Sequence, residues 1–569
     1  MKNIFILLII ITFITLSSSS QERWSETKKP VMGSYVNLPS PEGNWQPSKI
    51  HNVYQFGNML ITVGPSIRVL PSSAQQDEII LVRHPSNQNI MFGGANTTVG
   101  GTYGQGGYLT TDGGNTWTGT NLLPPFTSNS SDPGPTIDKN GVIIFTTLDV
   151  PGMVAAYSTN NGVTWSSRIT LQSGSADKNF AYSDDAPSSP YYGRSYCVWS
   201  NFGISQPPIV FSFTTNGGVS WSSFTQINTP PSGHYSQGCD IAVGPTGQVY
   251  VCWAAPTSSS PFTEDYLGFA RSTNGGSSWT VTENAYDMNG IRANSFNGWG
   301  VRVNGFPRIA VDRSGGPRNG WIYIVASERN LSPAGTDADV VLHRSTDQGV
   351  TWSPGIRVNQ DPLNNGKVQF FPAIRVDENG GVNICYYDNR NYPSVGDSCE
   401  TYMSRSTDGG NTWIDIKVSG HAWKVKPEPG LGTYMGDYIG ISSGNNKVFP
   451  FWFDDKAGTF QAWVCAVSVD PVGISGNTNE IPGKYELKQN YPNPFNPVTT
   501  IKFDLPEQQN VKLEVFDISG KSAGLMVNSR LNAGSWSFEF NAKDLPSGVY
   551  FYKLTTEKFS STKKMMLVK

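Results

Sequence analysis

Charge is scarce in this chain. Asp, Glu, Lys and Arg make up only 15% of its 569 residues, and the formal net charge is −3. That balance gives no reason to expect nucleic acid or an anionic membrane as a partner. Histidine is scarcer still. The five (His51, His84, His234, His343 and His421) lie in no hydrolase motif and GxSxG is absent, whereas a serine hydrolase needs a positioned Ser–His–acid set. There is no CxxC pair and no metal-ligand spacing, so neither a metal site nor a cofactor is expected. Asp and Asn are dense enough for calcium between loops, but no ligand spacing supports it. The Gly-rich stretch at 93–107 lacks the Lys-Ser/Thr ending and following helix of a phosphate loop, and reads as loop.

Long apolar runs are missing everywhere except residues 4–16. That run follows Lys2 and precedes four small residues, Ser17, Ser18, Ser19 and Ser20, so residues 1–20 read as a secretory signal peptide. A membrane anchor is the alternative, but ~13 apolar residues are short for a bilayer crossing. No Cys follows the run, which excludes a lipoprotein, and the mature protein is expected to have no membrane span. Export would permit disulfides among the six Cys. Yet Cys197, Cys252 and Cys385 occupy like positions in SYCVW, VYVCW and NICYY, where Cys serves as a small core residue. Free buried thiols are the expectation, with Cys385–Cys399 the best pair if a disulfide forms.

What the chain does have is 60 Gly, 38 Pro and abundant Trp and Tyr, the composition of many short strands joined by tight turns. Its length calls for two or more folding units. One eight-residue pattern recurs six times: TTDGGNTW ending at Trp117, STNNGVTW at Trp165, TTNGGVSW at Trp221, STNGGSSW at Trp279, STDQGVTW at Trp352 and STDGGNTW at Trp413. The intervals are roughly 50 to 70 residues, the size of a four-stranded propeller blade with its loops. Asp112, Asn160, Asn216, Asn274, Asp347 and Asp408 can each accept hydrogen bonds from their own turn. The Gly two places on permits positive φ, and the Trp buries a ring between neighbouring sheets. Asp and Asn interchange freely, so the position is structural rather than catalytic.

The pattern resembles the Asp box, or BNR repeat, of sialidases and related β-propellers, over about 66–469. Between boxes, an inner strand, a turn and an aromatic-rich strand recur, as in CDIAVGPTGQVYVCW and PAIRVDENGGVNICYYD. A seventh unit, DYIGISSGNNKVFPFWFDD then FQAWVCAVSV, has three strand-like runs and no box, while PSIRVLP (65–71) stands near the start with no blade before it. That strand is expected to complete the last blade and close the ring, leaving no open seam. The chain is therefore read as all-β: a seven-bladed propeller over 65–470, with six blades as the alternative, after an N-terminal extension at 21–64.

A polar Gly/Pro/Asn linker at 471–482 precedes short alternating strands, and a β-sandwich of Ig-like type is expected over 483–569. YPNPFNP (491–497), VFDISGK (515–521), LPSGVYFYKL (545–554) and KKMMLVK (563–569) resemble the type A sorting domain of the bacterial type IX secretion system. The resemblance implies that residues 483–569 engage that machinery. It also implies passage through the periplasm, removal of this domain, and release or attachment at the outer cell surface. The alternative is a passive sandwich that assists ligand binding.

In a propeller, the ends of second strands and the starts of inner strands crowd one mouth of the channel, opposite the Asp-box turns. Asp177, Lys178, Glu328, Arg329, Asp388, Arg390, Asp454 and Lys456 should form a charged rim there that binds a glycan or protein ligand. Inter-blade ion pairing is the competing account of the same residues. The sialidase resemblance implies three Arg gripping a carboxylate, a Tyr nucleophile with a Glu, and an Asp acid/base. Arg308, Arg329 and Arg390, Tyr438 or Tyr402 with Glu400, and Asp437 are the candidates for an exo-α-sialidase. The Arg-Ile-Pro motif expected on the first inner strand is missing; LVRHP (81–85) offers Arg83 in another frame.

Overall fold

The computed structural model describes residues 52–56, 59–292, 300–393, 398–428, 432–469, 482–531, 533–542 and 545–569. The expected signal peptide at 1–20, most of the extension at 21–64 and all of the linker except Pro482 lie outside them. Strands are the regular elements throughout.

Six four-stranded antiparallel sheets follow one another, each a meander in chain order. The first strands of these sheets, in order, are Gln75–Arg83, Ser131–Ile137, Ala176–Ser183, Gln237–Val243, Arg308–Val311 and Gln369–Val376. A seventh sheet begins with Gly440–Gly444, continues through Lys447–Asp454 and Gln461–Val464, and takes Ile67–Arg68 as its outer strand. Ile67 pairs with Val464 and Arg68 with Trp463, nearly four hundred residues along the chain. The expected pairing of PSIRVLP with the last unit is present. The hairpin of Asn52–Phe56 and Met59–Val63 also joins this sheet, so residues assigned to the extension contribute strands to it. First strands of successive sheets lie beside one another, and Gly440–Gly444 in turn contacts Gln75–Arg83. Such an arrangement fits the blades of a β-propeller.

The repeated turns form as their chemistry requires. Asp112 Oδ1 accepts the N–H groups of Asn115 and Thr116 at 3.0 and 2.9 Å, and Gly114 N donates to Thr110 Oγ1 at 3.0 Å. Asn274 reproduces this with Ser278 N at 2.9 Å and Gly276 N on Ser272 Oγ. Each Trp packs against the preceding sheet. Trp165 lies 5.9 Å from Phe92, Trp279 5.0 Å from Phe211, and Trp352 5.1 Å from Phe269. Trp221 and Trp413 join clusters shared with the sheets before theirs. Trp117 of the first sheet stacks on Phe451 of the seventh at 6.3 Å. All six Cys are buried free thiols, and no disulfide joins Cys385 to Cys399.

Residues from 482 onward form two separate sheets with their own core. One is ordered Glu486–Leu487, Val498–Leu505, Gly534–Asn541; the other Ser522–Leu531, Gln509–Phe516, Gly548–Thr555, Ser560–Leu567. Alternation is strict in Gln509–Phe516, where Val511, Leu513 and Val515 are buried and Asn510 and Lys512 exposed, as a half-covered sheet demands.

Candidate functional site

One backbone device repeats around the ring. In five first strands the register slips near the start, between Asp77 and Ile80, Ser131 and Gly134, Asp177 and Phe180, Gln237 and Asp240, and Phe370 and Ala373. Within each slip one residue takes positive φ: Glu78 (46°), Asp132 (59°), Lys178 (50°), Gly238 (69°) and Phe371 (52°). Four of the five are not Gly, and each costs about 1–2 kcal/mol of backbone strain. A bulge re-aims a side chain. Here it brings Glu78, Asp132 and Lys178, all at most 1% exposed, into one electrostatic neighbourhood.

Two connections add to this group. Residues 288–306 carry Arg302, which ion-pairs with Asp437, and Asn304, whose Nδ2 donates to Asp437 Oδ1 at 2.7 Å. Residues 425–438 carry Glu428 and Tyr434; Tyr434 donates its hydroxyl to Glu78 Oε1 at 2.5 Å, and Gln75 Nε2 donates to Glu428 Oε2 at 3.1 Å. Asn96 organises the centre: its Nδ2 donates to Glu78 Oε2 at 2.6 Å while its Oδ1 accepts Asp132 N at 2.8 Å and Gln105 Nε2 at 3.0 Å. Further round, Arg292 Nη1 donates to Gln237 Oε1 at 2.6 Å, and Gln237 in turn donates to Asp177.

Carboxyl groups face carboxyl groups in this cluster, Asp77 beside Glu428 and Glu78 beside Asp132. Burial pushes Asp77 up to about 7, against the bonds from Glu428 and Asn96. Glu428 is raised well above the usual carboxylate range by burial and then by the Asp77 charge. Burial also raises Asp132, against bonds from Glu78 and the Lys178 charge. Glu264, which accepts the N–H groups of Gly305 and Arg292, is pushed by burial up to about 6. Lys178 moves the other way, down to about 8, through burial and then the Arg308 charge. Its ammonium lies 3.5 Å from the Tyr438 ring centroid and 4.0 Å from that of Phe180, with no hydrogen-bond partner for Nζ.

The residues expected from sequence divide into two groups. Asp177, Lys178, Asp437, Tyr438 and Arg308 belong to this neighbourhood. Arg308 Nε donates to Asp240 at 2.9 Å and its Nη1 to Ile439 O at 3.0 Å. The rest are built into side networks. Arg390 ion-pairs with Asp388 and Asp415 and stacks over Tyr402 at 4.4 Å. Arg329 N donates to Asn289 O at 3.0 Å, and Arg329 O accepts Asn289 Nδ2 at 2.6 Å. Glu328, pushed by burial up to about 8, stands 3.9 Å from His343. Asp454 accepts from His421 Nε2 at 2.7 Å, Trp452 Nε1 at 2.8 Å and Lys456 N at 3.0 Å. Arg308 and Arg390 therefore have separate carboxylate partners. Asn391 stands between Glu400 and Tyr402, donating to both, and Glu400 also holds Lys417 at 2.9 Å. Burial, then the Glu400 charge, raises the Tyr402 phenol, the opposite of what an activated nucleophile needs.

Sequence reasoning missed Asp77, Glu78, Asp132, Glu264, Arg292, Arg302, Glu428 and Tyr434. The available signal was a short run of polar residues opening four of the inner strands: QQDE, SD, ADKN, QGCD. Among the described residues no group of three or more His, Cys, Asp or Glu side chains is placed to hold a metal ion.

Residues 489–569 match the family described as the secretion system C-terminal sorting domain. This segment is a type IX sorting domain. It directs the protein to the cell surface or the medium, and the sorting domain's partner is the secretion machinery. No curated protein matches the chain. Among solved structures, a protein of unknown function from Dyadobacter fermentans is 12% identical with a TM-score of 0.41, covering 72% of this chain and 99% of its own. An α-L-arabinofuranosidase of Fusarium graminearum is 13% identical with a TM-score of 0.40, covering 62% and 98%. An α-L-arabinanase of Penicillium chrysogenum is 13% identical with a TM-score of 0.38, covering 57% and 94%. No helix among the described residues is long and apolar enough to cross a membrane.

Proposed function

We propose that the exported unit is a seven-bladed Asp-box propeller that binds a glycan at the mouth where Arg302, Asn304, Glu428 and Tyr434 meet the inner strands. The supporting observation is the bulge-built cluster of Asp77, Glu78, Asp132, Lys178, Glu428 and Asp437 with Asn96, Arg302 and Tyr434. Carboxylates, amides and a phenol in one place accept and donate to the closely spaced hydroxyls of a sugar. A flat protein surface fits this mouth poorly, because each of these six charged side chains is at most 4% exposed. Strained backbone gathered at one place is the kind of arrangement that function maintains.

A hydrolytic reading is favoured by one feature, the Asp77–Glu428 pair. A carboxyl group still protonated near pH 7 is the acid that glycosidic cleavage uses. The sialidase form of that reading lacks support, since Arg308 and Arg390 keep separate carboxylate partners. A glycan array and a panel of fluorogenic glycosides on the mature protein test both. Binding weakened at least tenfold by Glu78→Gln, with an unchanged circular dichroism spectrum, is the expected result. Turnover abolished by Asp77→Asn would make the protein a glycoside hydrolase. Absence of both binding and turnover across the panels would sink the proposal.

A further inference from the structure

A second polar site lies within the ring of inner strands, toward the ends of those strands. There a cavity of about 230 Å³ is lined by Arg83, Asp185, Arg308, Arg313, Arg375 and Glu378, with Ile80, Ile241 and Ile374 supplying apolar wall. Most of its charges are matched. Arg308 pairs with Asp240, Arg313 with Asp185, and the lining Asp377 with the buried Arg405. What remains is two guanidinium groups, Arg83 and Arg375, against the single carboxylate of Glu378. Arg375 Nε donates to Ser443 Oγ at 3.3 Å, and Glu378 Oε1 accepts Asn446 N at 2.6 Å. Arg83 Nε and Nη1, and Arg313 Nη1, are buried without a hydrogen-bond partner, three donors against one such acceptor in the lining that no ion pair holds, Glu378 Oε2. Buried donors left unmatched are costly and call for an occupant. The strain is also visible in Arg83, lowered to about 10 by burial and then by the Arg375 charge.

We infer that this cavity binds the carboxylate of a small monoanionic ligand such as a sugar acid, between Arg83 and Arg375. Guanidinium forks match a planar carboxylate, and an excess of one positive charge is neutralised by a monoanion. A divalent sulfate or phosphate would leave negative charge facing Glu378 and Asp185. The volume exceeds the roughly 30 Å³ share of one water several-fold, so the ligand can carry a ring behind its carboxylate. The site adjoins the glycan cluster through Arg308, but Arg83 and Arg375, which hold the carboxylate, are not part of that cluster and the inference does not depend on that reading.

Isothermal titration of the mature chain with glucuronate, glucose, sulfate and phosphate tests it. Glucuronate should bind, glucose should not, and sulfate and phosphate should bind more weakly. Arg83→Gln and Arg375→Gln should each weaken glucuronate at least tenfold, while Arg83→Lys retains part of the affinity. Near-ultraviolet circular dichroism checks that each variant is folded; if Arg83→Gln is not, Arg375→Gln carries the test. No heat with glucuronate, equal binding of sulfate, or wild-type affinity in the folded variants would overturn the inference.

Discussion

At the scale of single residues, the same side-chain type serves opposite ends according to its surroundings. Asp347 sits in an exposed turn where desolvation, which raises its pKa, is outweighed by bonds from the Thr351 hydroxyl and N–H groups and Ser345, leaving it at about 2. A depressed carboxylate stabilises the fold above its unfolded pKa near 4, and that contribution is lost as pH falls toward 2. Asp347→Asn should therefore flatten the acid limb of the melting-temperature profile, while Asp347→Ala should cost about 1 kcal/mol at neutral pH through lost turn bonds. Equal acid limbs in the wild type and the Asn variant would contradict this. Asp77 is the converse. Its folded pKa of about 7 lies above the unfolded value, so stability is present at low pH and lost as pH rises from about 4 through 7. The melting temperature of Asp77→Asn relative to wild type should climb between pH 4 and pH 8, and parallel curves would refute the buried-proton account. The turn residues were legible from sequence because their partners lie within four positions. Asp77, Glu78 and Asp132 were not, because their partners lie on other strands and a bulge reverses the alternation that would have placed them.

At the scale of elements, the ring closes through a short strand with a long reach. Ile67–Arg68 supplies the outer strand of the seventh sheet, supported by Val69 N on Ala462 O at 2.9 Å and Gly420 N on Ser66 Oγ at 2.8 Å. Sequence revealed this closure because the last unit was short by one strand and the chain began with a spare one. It did not reveal the preceding hairpin, whose pairing with Val467–Ser468 follows no repeat. Ile61, Val63 and Val69 are at most 3% exposed, and burying three such side chains contributes on the order of 5 kcal/mol. A mature chain beginning at Ser72 should melt at a markedly lower temperature and be cut faster by protease within the seventh sheet. Unchanged melting would mean that the ring holds without its latch. The tryptophans act between elements in the same way: Trp279→Ala should cost about 3–5 kcal/mol, because Trp279 meets Phe211 of the preceding sheet edge-on at 5.0 Å.

At the scale of the whole molecule, the chain separates what it does from where it goes. The core that contains Leu487, Phe503, Val515, Tyr552 and Leu567 draws solely on residues from 485 onward, and no other core cluster includes a residue beyond 469. Asn52–Phe56 of the larger unit lies against Ser522–Leu531 of the smaller, but a contact through one edge strand is slight beside two cores that share no side chain, and such cores unfold as separate cooperative units. Calorimetry of the mature chain should then show two transitions, and truncation after residue 482 should remove one while leaving the other within a degree or two of its original midpoint. The export function should move with the smaller unit. Its last strand, Ser560–Leu567, places Met565 and Leu567 in that core, so ending the chain at residue 559 should unfold the sorting domain and hold the protein inside the cell envelope with its larger transition intact. A single merged transition in the mature chain would show instead that the address and the cargo fold as one body.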